Sequence, residues 1–223
     1  MRALRVSPTE IVVLRGLFEE SFLIECSNVR ECDEIIEALR SGKSHPRLGF
    51  LLKVEVTREA EVIGEGILAK TLREALVESG VKLGGGLRVY ASDSWRPSYF
   101  KRIEEEAKRF GFRYMPVFLA LDLGVIGPLY EPGSPGYLCL EQQLTASTGW
   151  LFRAVRDYAD REALPSNPLY LKFLAYLTAL IIRRSVDELR GRAVLVDFQS
   201  FYIDVAKIYL TPLCAPEEVS SGL

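Results

Sequence analysis

The chain of 223 residues has a single histidine, His45, and two asparagines, Asn28 and Asn167. Its four cysteines, at positions 26, 32, 139 and 214, form no Cys-x-x-Cys pair. A four-ligand zinc site would therefore have to gather widely separated cysteines, so buried thiols are the expectation. A disulfide stays open for a hyperthermophile source, with a pairing that spacing does not fix. Scarce asparagine and histidine beside 26% charged residues lean toward a thermophile. No apolar run reaches the roughly 20 residues of a membrane span. The longest candidate, LYLKFLAYLTALIIRR at 169–184, is interrupted by Lys172. The N-terminal run is broken by Glu10 and Arg15 and does not read as a secretion signal. A net charge of −2 gives no general pull toward nucleic acid or anionic membrane. The expectation is a cytoplasmic protein with neither partner.

What is present divides the chain by pattern. In residues 1–49, Ile11, Val12, Val13 and Phe22, Leu23, Ile24 predict two strands turning near Gly16. Ile35, Ile36 and Leu39 then recur at helical spacing, with Gly42 as the stop. SGKSHPRLG, 41–49, reads as a linker. From residue 50 to 223, strands and helices alternate: LLKVEV, a strand running through glycines into a helix over AEVIGEGILAKTLREALVESG, the strand LRVYASDS, the helix RPSYFKRIEEEAKRFG and the strand-rich FRYMPVFLALDLGVIGPLY. Alternation of this kind predicts an α/β, Rossmann-like domain with a mostly parallel sheet, preceded by a small α+β module. AVLVDFQSFYIDVAKIYL alternates as an antiparallel hairpin turning at 198–201. The helix at 169–184 is predicted to be a core or dimer helix, with Tyr170, Phe173 and Tyr176 as core.

The loop VIGEGILA places Gly64 and Gly66 between strand and helix as G-x-G-x-x-A. The first glycine permits a tight turn, and the second lets a phosphate approach a helix N-terminus. A dinucleotide site also needs an acid at the end of the next strand, and Val81 to Leu83 carry none. The glycines are therefore read first as a close strand-to-helix turn, with Gly64, Gly66 and Asp93 kept as the candidate cofactor site. Asp93 or Ser94 would cap the following helix, or Asp93 would face a ligand at the carboxyl edge of the sheet. Both roles remain open.

The succession LRVYASDSW through GPLYEPGSPGYLCLEQQ resembles the ThiF-like fold of the ubiquitin-activating superfamily. More closely it resembles cyclodehydratase-associated ThiF-like proteins, which work with YcaO enzymes on thiazole/oxazole-modified microcin peptides. The matching positions are Ser92 and Asp93, then Gly127, Pro128, Leu129, Pro132, Gly133 and Cys139. YLTPLCAPEEV, 209–219, resembles the closing Pro-x-Cys-Pro-x-Cys segment of the same proteins. The likeness covers about 54–217, and residues 1–49 resemble their leader-peptide-recognition module more weakly.

Two departures shape what the resemblance implies. Gly136 and Glu217 stand where each zinc knuckle has its second cysteine, so no zinc is expected on Cys139 and Cys214, and Cys139 reads as a structural thiol. The interval that would hold an Asp, Arg and Lys set for ATP and metal is shortened to GVKLGGG, which leaves only Lys82. The resemblance thus implies a degenerate, non-catalytic scaffold that presents a precursor peptide to a YcaO-type enzyme, with homodimers common among its kin. No cofactor is predicted. The alternative is a nucleotide-binding enzyme, either an acyl-adenylating activator using ATP or an NAD(P)-dependent oxidoreductase using the glycine loop.

Overall fold

A computed structural model describes residues 2–14, 22–41, 59–148, 150–162, 164, 166–212 and 214. Gly16, Gly42, His45, Glu217, most of the expected linker and the expected strand LLKVEV lie outside the described residues. The chain divides into two units, Met1–Val56 and Thr57–Leu223.

In the first unit, β1 (Arg2–Ser7), β2 (Glu10–Leu14) and β3 (Phe22–Glu25) form an antiparallel sheet in that order, followed by α1 (Val29–Ser41). β2 and β3 are the two strands read from their β-branched runs. β1 was not anticipated, because its arginines fall on both faces of a period-2 pattern and pairing with β2 decides its conformation. Ile11, Ile24, Ile35 and Ala38 make the buried core. Asn28 caps α1: its Oδ1 accepts from the Glu31 amide at 2.9 Å, and Glu31 accepts in return from the Ser27 amide. Cys26 and Cys32 are not thiols but a disulfide tying the end of β3 to α1.

The second unit is built on a seven-stranded sheet. Its strands are β4 (Glu59–Ile63), β5 (Lys82–Leu83), β6 (Leu87–Ser92), β7 (Tyr114–Ala120), β8 (Leu123–Ile126), β9 (Arg192–Asp197) and β10 (Tyr202–Lys207), in the order β10-β9-β8-β7-β6-β4-β5. β5, β4, β6 and β7 pair in parallel, and two antiparallel steps through β8 return β9 to their direction, so β8 and β10 alone run the other way. This is the predicted α/β, Rossmann-like sheet. The helices are α2 (Ile67–Glu78), α3 (Pro97–Phe110), α4 (Tyr137–Thr148), α5 (Trp150–Ala159) and α6 (Pro168–Ser185). One core joins residues of α2 and α6 to the sheet, and another joins α3 and α4 to it. With both faces covered, every residue of β7 is buried. The β9–β10 hairpin turns at 198–201, where it was predicted to.

α6 departs from expectation. It buries Leu171, Leu174, Ala175, Thr178, Ala179 and Ile182, but Phe173 and Tyr176 are each 47% exposed and are not core. The helix carries apolar residues on its exposed side as well as its buried one, so periodicity could not say which aromatics would be covered.

Candidate functional site

β4 and β6 are neighbouring parallel strands, with β5 on the far side of β4. Their carboxyl ends open on a cleft of about 630 Å³, the place where open α/β sheets bind ligands. Gly64, Glu65, Gly66, Ser92, Asp93, Arg96 and Tyr99 are among its lining residues. The three candidate cofactor residues are thus brought together. Asp93 is hydrogen-bonded to the start of the helix that follows the two glycines.

α2 begins directly after Gly66, leaving its first amides without helical partners. Asp93 supplies them: Oδ2 accepts from the Ile67 amide at 2.8 Å and Oδ1 from the Leu68 amide at 2.7 Å. A carboxylate of the same chain therefore occupies the seat that a phosphate takes at the start of such a helix. Gly66 makes room for it, since a Cβ there would stand 2.4 Å from Asp93 Oδ2, at a φ of 97° that side chains disfavour. At Gly64 a Cβ would meet the Ala91 carbonyl oxygen at 2.0 Å, so this glycine lets β4 and β6 approach. Arg73, from within α2, donates to the carbonyls of Val62 and Gly64 and fastens the loop from behind.

Asp93 therefore caps α2, the preceding helix in the chain, rather than α3, which has no side-chain cap at its N-cap Arg96. Ser94 is buried and its carbonyl accepts from the Ser92 hydroxyl at 2.6 Å. The sequence reading missed Arg73, Arg96 and Tyr99. Position alone could have flagged the last two, since they follow directly on a strand that ends at the ligand edge of the sheet. Burial raises the Tyr99 hydroxyl above its ordinary value, opposed by Arg102 and Arg96. β5, a two-residue strand with exposed Lys82 and Leu83, carries no acid, but β6, which pairs in parallel with β4 on its other side, is followed directly by the acid Asp93. Lys82 is not among the residues that line the cleft.

The Gly-Pro-Leu turn lies elsewhere in the unit. Gly127–Pro128 is a cis peptide, and Tyr130 bridges back to Tyr114. Position 136, where the resemblance calls for a cysteine, faces a carboxylate: a Cβ on Gly136 would lie 2.5 Å from Glu104 Oε2. That oxygen accepts from the Tyr114 hydroxyl at 2.9 Å and from the Leu138 amide at 2.8 Å, and Lys108 pairs with the other oxygen at 3.0 Å. Cys139 is not a free thiol, because it is bonded to Cys214 across 75 residues of sequence. The fold brings their Cα atoms to 5.3 Å, within disulfide reach, which no local spacing announces. Among the described residues, no group of three or more His, Cys, Asp or Glu is placed to hold a metal.

No family model matches the sequence, and no curated protein matches it. Solved structures do. The chain is similar to a heterocyclase in complex with substrate and cofactor, with TM-score 0.63 and 13% identity over 96% of this chain and 38% of that one. It is similar to the heterocyclase TruD, with TM-score 0.60 and 15% identity over 96% and 42% of the two chains. It is also similar to a chain of the E. coli microcin synthetase McbBCD complex, with TM-score 0.57 and 14% identity over 96% and 97%. At these identities the likeness shows the fold, a Rossmann-like α/β arrangement. The chain spans about two fifths of the heterocyclase chains and nearly all of the synthetase chain.

Proposed function

We propose that this chain is a non-catalytic ThiF-like scaffold that holds a precursor peptide for a YcaO-type enzyme, which carries the ATP chemistry. The observation behind this reading is the carboxylate of Asp93 on the first amides of α2. A nucleotide phosphate placed there would have to displace an anion already held by two hydrogen bonds, and would meet like charge if it did not. The likeness to heterocyclase and microcin synthetase chains supports a role in peptide modification. The first unit suits peptide capture: β3 is one of the two outer strands of its sheet, with Leu23 exposed, and an extended peptide can add alongside such a strand.

One observation favours the alternative, a nucleotide-binding enzyme. The cleft beside Arg96 and Tyr99 stays open in spite of Asp93. Reconstitution separates the two readings. With a YcaO-type enzyme, its precursor peptide and ATP, water loss from the peptide followed by mass spectrometry is expected to require this chain and to survive Arg96→Ala. ATP consumption by this chain alone would defeat the scaffold reading.

A further inference from the structure

The first unit, Met1–Val56, is small for a self-supporting fold. A chain of about 60 residues buries only about 60% of the surface it exposes when unfolded, and units of this size depend on staples. Among the described residues its core cluster is Ile11, Ile24, Cys26, Cys32, Ile35 and Ala38, so the disulfide supplies two of the six. The bond also sits where sheet and helix are joined. Cys26 directly follows β3, its amide donating to the Thr9 carbonyl at 2.7 Å, and Cys32 stands near the start of α1. The loop it closes contains Asn28 and Glu31, the pair that caps α1. An ion pair of Arg5 with Asp33 also ties β1 to α1, but Asp33 is 66% exposed, and such surface pairs contribute little.

The second disulfide is set differently. Cys139 and Cys214 are 0 and 2% exposed, in a core shared with Trp95, Phe100, Tyr114 and Phe118. Cys26 keeps 8% exposure, so a thiolate from solution reaches the first bond more readily. We propose that the first unit is a redox-conditional fold, complete only while Cys26 and Cys32 are bonded and loosened when a dithiol reduces them. One thiolate of the dithiol attacks the Cys26 sulfur, and Cys32 leaves as a thiolate that takes up a proton. The second thiolate of the dithiol then displaces Cys26 from the mixed disulfide. Two electrons and two protons pass to the cysteines, and the dithiol ends as a disulfide. That β3 loses its place for a peptide on reduction rests on the capture reading given above. The switch in folding does not.

The test follows hydrogen exchange of the full chain by mass spectrometry while dithiothreitol is raised. Opening the short covalent loop is expected to speed exchange of the amides of 22–41 about thirtyfold, with those of β6 and β7 unchanged. Alkylation should mark Cys26 and Cys32 at dithiothreitol concentrations that leave Cys139 and Cys214 bonded. Reoxidation should restore slow exchange. The double variant Cys26→Ser, Cys32→Ser should exchange like the reduced chain and no longer respond to those concentrations. Exchange of 22–41 that ignores reduction overturns the proposal, as does alkylation of Cys139 and Cys214 first or in step. In the reconstituted reaction, water loss from the peptide should be lost with the double variant. Water loss that persists while exchange responds would remove β3 as the capture strand and leave the switch standing.

Discussion

Asp93 and Gly66 are fitted to each other, and each constrains what the other can become. Asp93→Ala removes the acceptor from two helix-terminal amides and is expected to cost about 1 kcal/mol, measured by urea unfolding. The same change empties the anion seat, so a gain of phosphate or ATP affinity over the unaltered chain should accompany the lost stability. Gly136 is held in a similar way by Glu104, and Gly136→Ala should destabilise by about 1–3 kcal/mol through overpacking. A thermal shift no larger than that of an exposed substitution would refute this. The glycine loop was legible in the sequence because a strand, two glycines and an amphipathic helix are neighbours in the chain. Its filling was not, because Asp93 lies 26 residues from Ile67 and a cap donated from the next strand leaves no local signature.

Among the helices, N-terminal capping divides between local and borrowed groups. The two asparagines of the chain, Asn28 and Asn167, cap α1 and α6 from the adjacent position. α2 takes its cap from Asp93, α4 an acceptor from Glu104, and α3 one from Asp160, which accepts from the Ser98 amide at 2.8 Å. Borrowed caps tie a helix end to another element, so their loss couples to tertiary packing. The Cys139–Cys214 disulfide pins α4 to the C-terminal segment in the same manner. Closing a 75-residue loop gives an entropic stabilisation of roughly 4 kcal/mol, against about 2 kcal/mol for the six-residue Cys26–Cys32 loop. Cys139→Ser with Cys214→Ser should therefore lower the unfolding free energy of the oxidised protein by more than the paired change at Cys26 and Cys32. The reverse order would contradict the assignment. Elements marked by continuous pattern, such as α2, α3 and the β9–β10 hairpin, could be read from the sequence. The disulfides, β1 and the exposure of α6 depend on what folding brings alongside.

For the molecule as a whole, the interior beneath the Gly-Pro-Leu turn sets an alkaline limit. Burial pushes the hydroxyls of Tyr114 and Tyr137 well above the ordinary value of 10.0, and the nearby carboxylates of Glu104 and Glu141 push them further. Because the folded values are raised, the folded chain keeps protons that the unfolded chain releases above about pH 10. The stability from these two groups is complete below that pH and is lost as pH rises toward the folded values. Ultraviolet titration should find two of the ten tyrosines ionising only as circular dichroism is lost. All ten titrating together with the fold intact would contradict the packing around Glu104 and Glu141. The same interior frames a sheet whose ligand edge is closed at one point by the chain's own anion. Calorimetric titration of ATP and of NAD into the purified protein tests this most directly. The scaffold account predicts no binding tighter than about 1 mM for either nucleotide. Micromolar binding that disappears in Gly66→Val would contradict it and restore the enzyme.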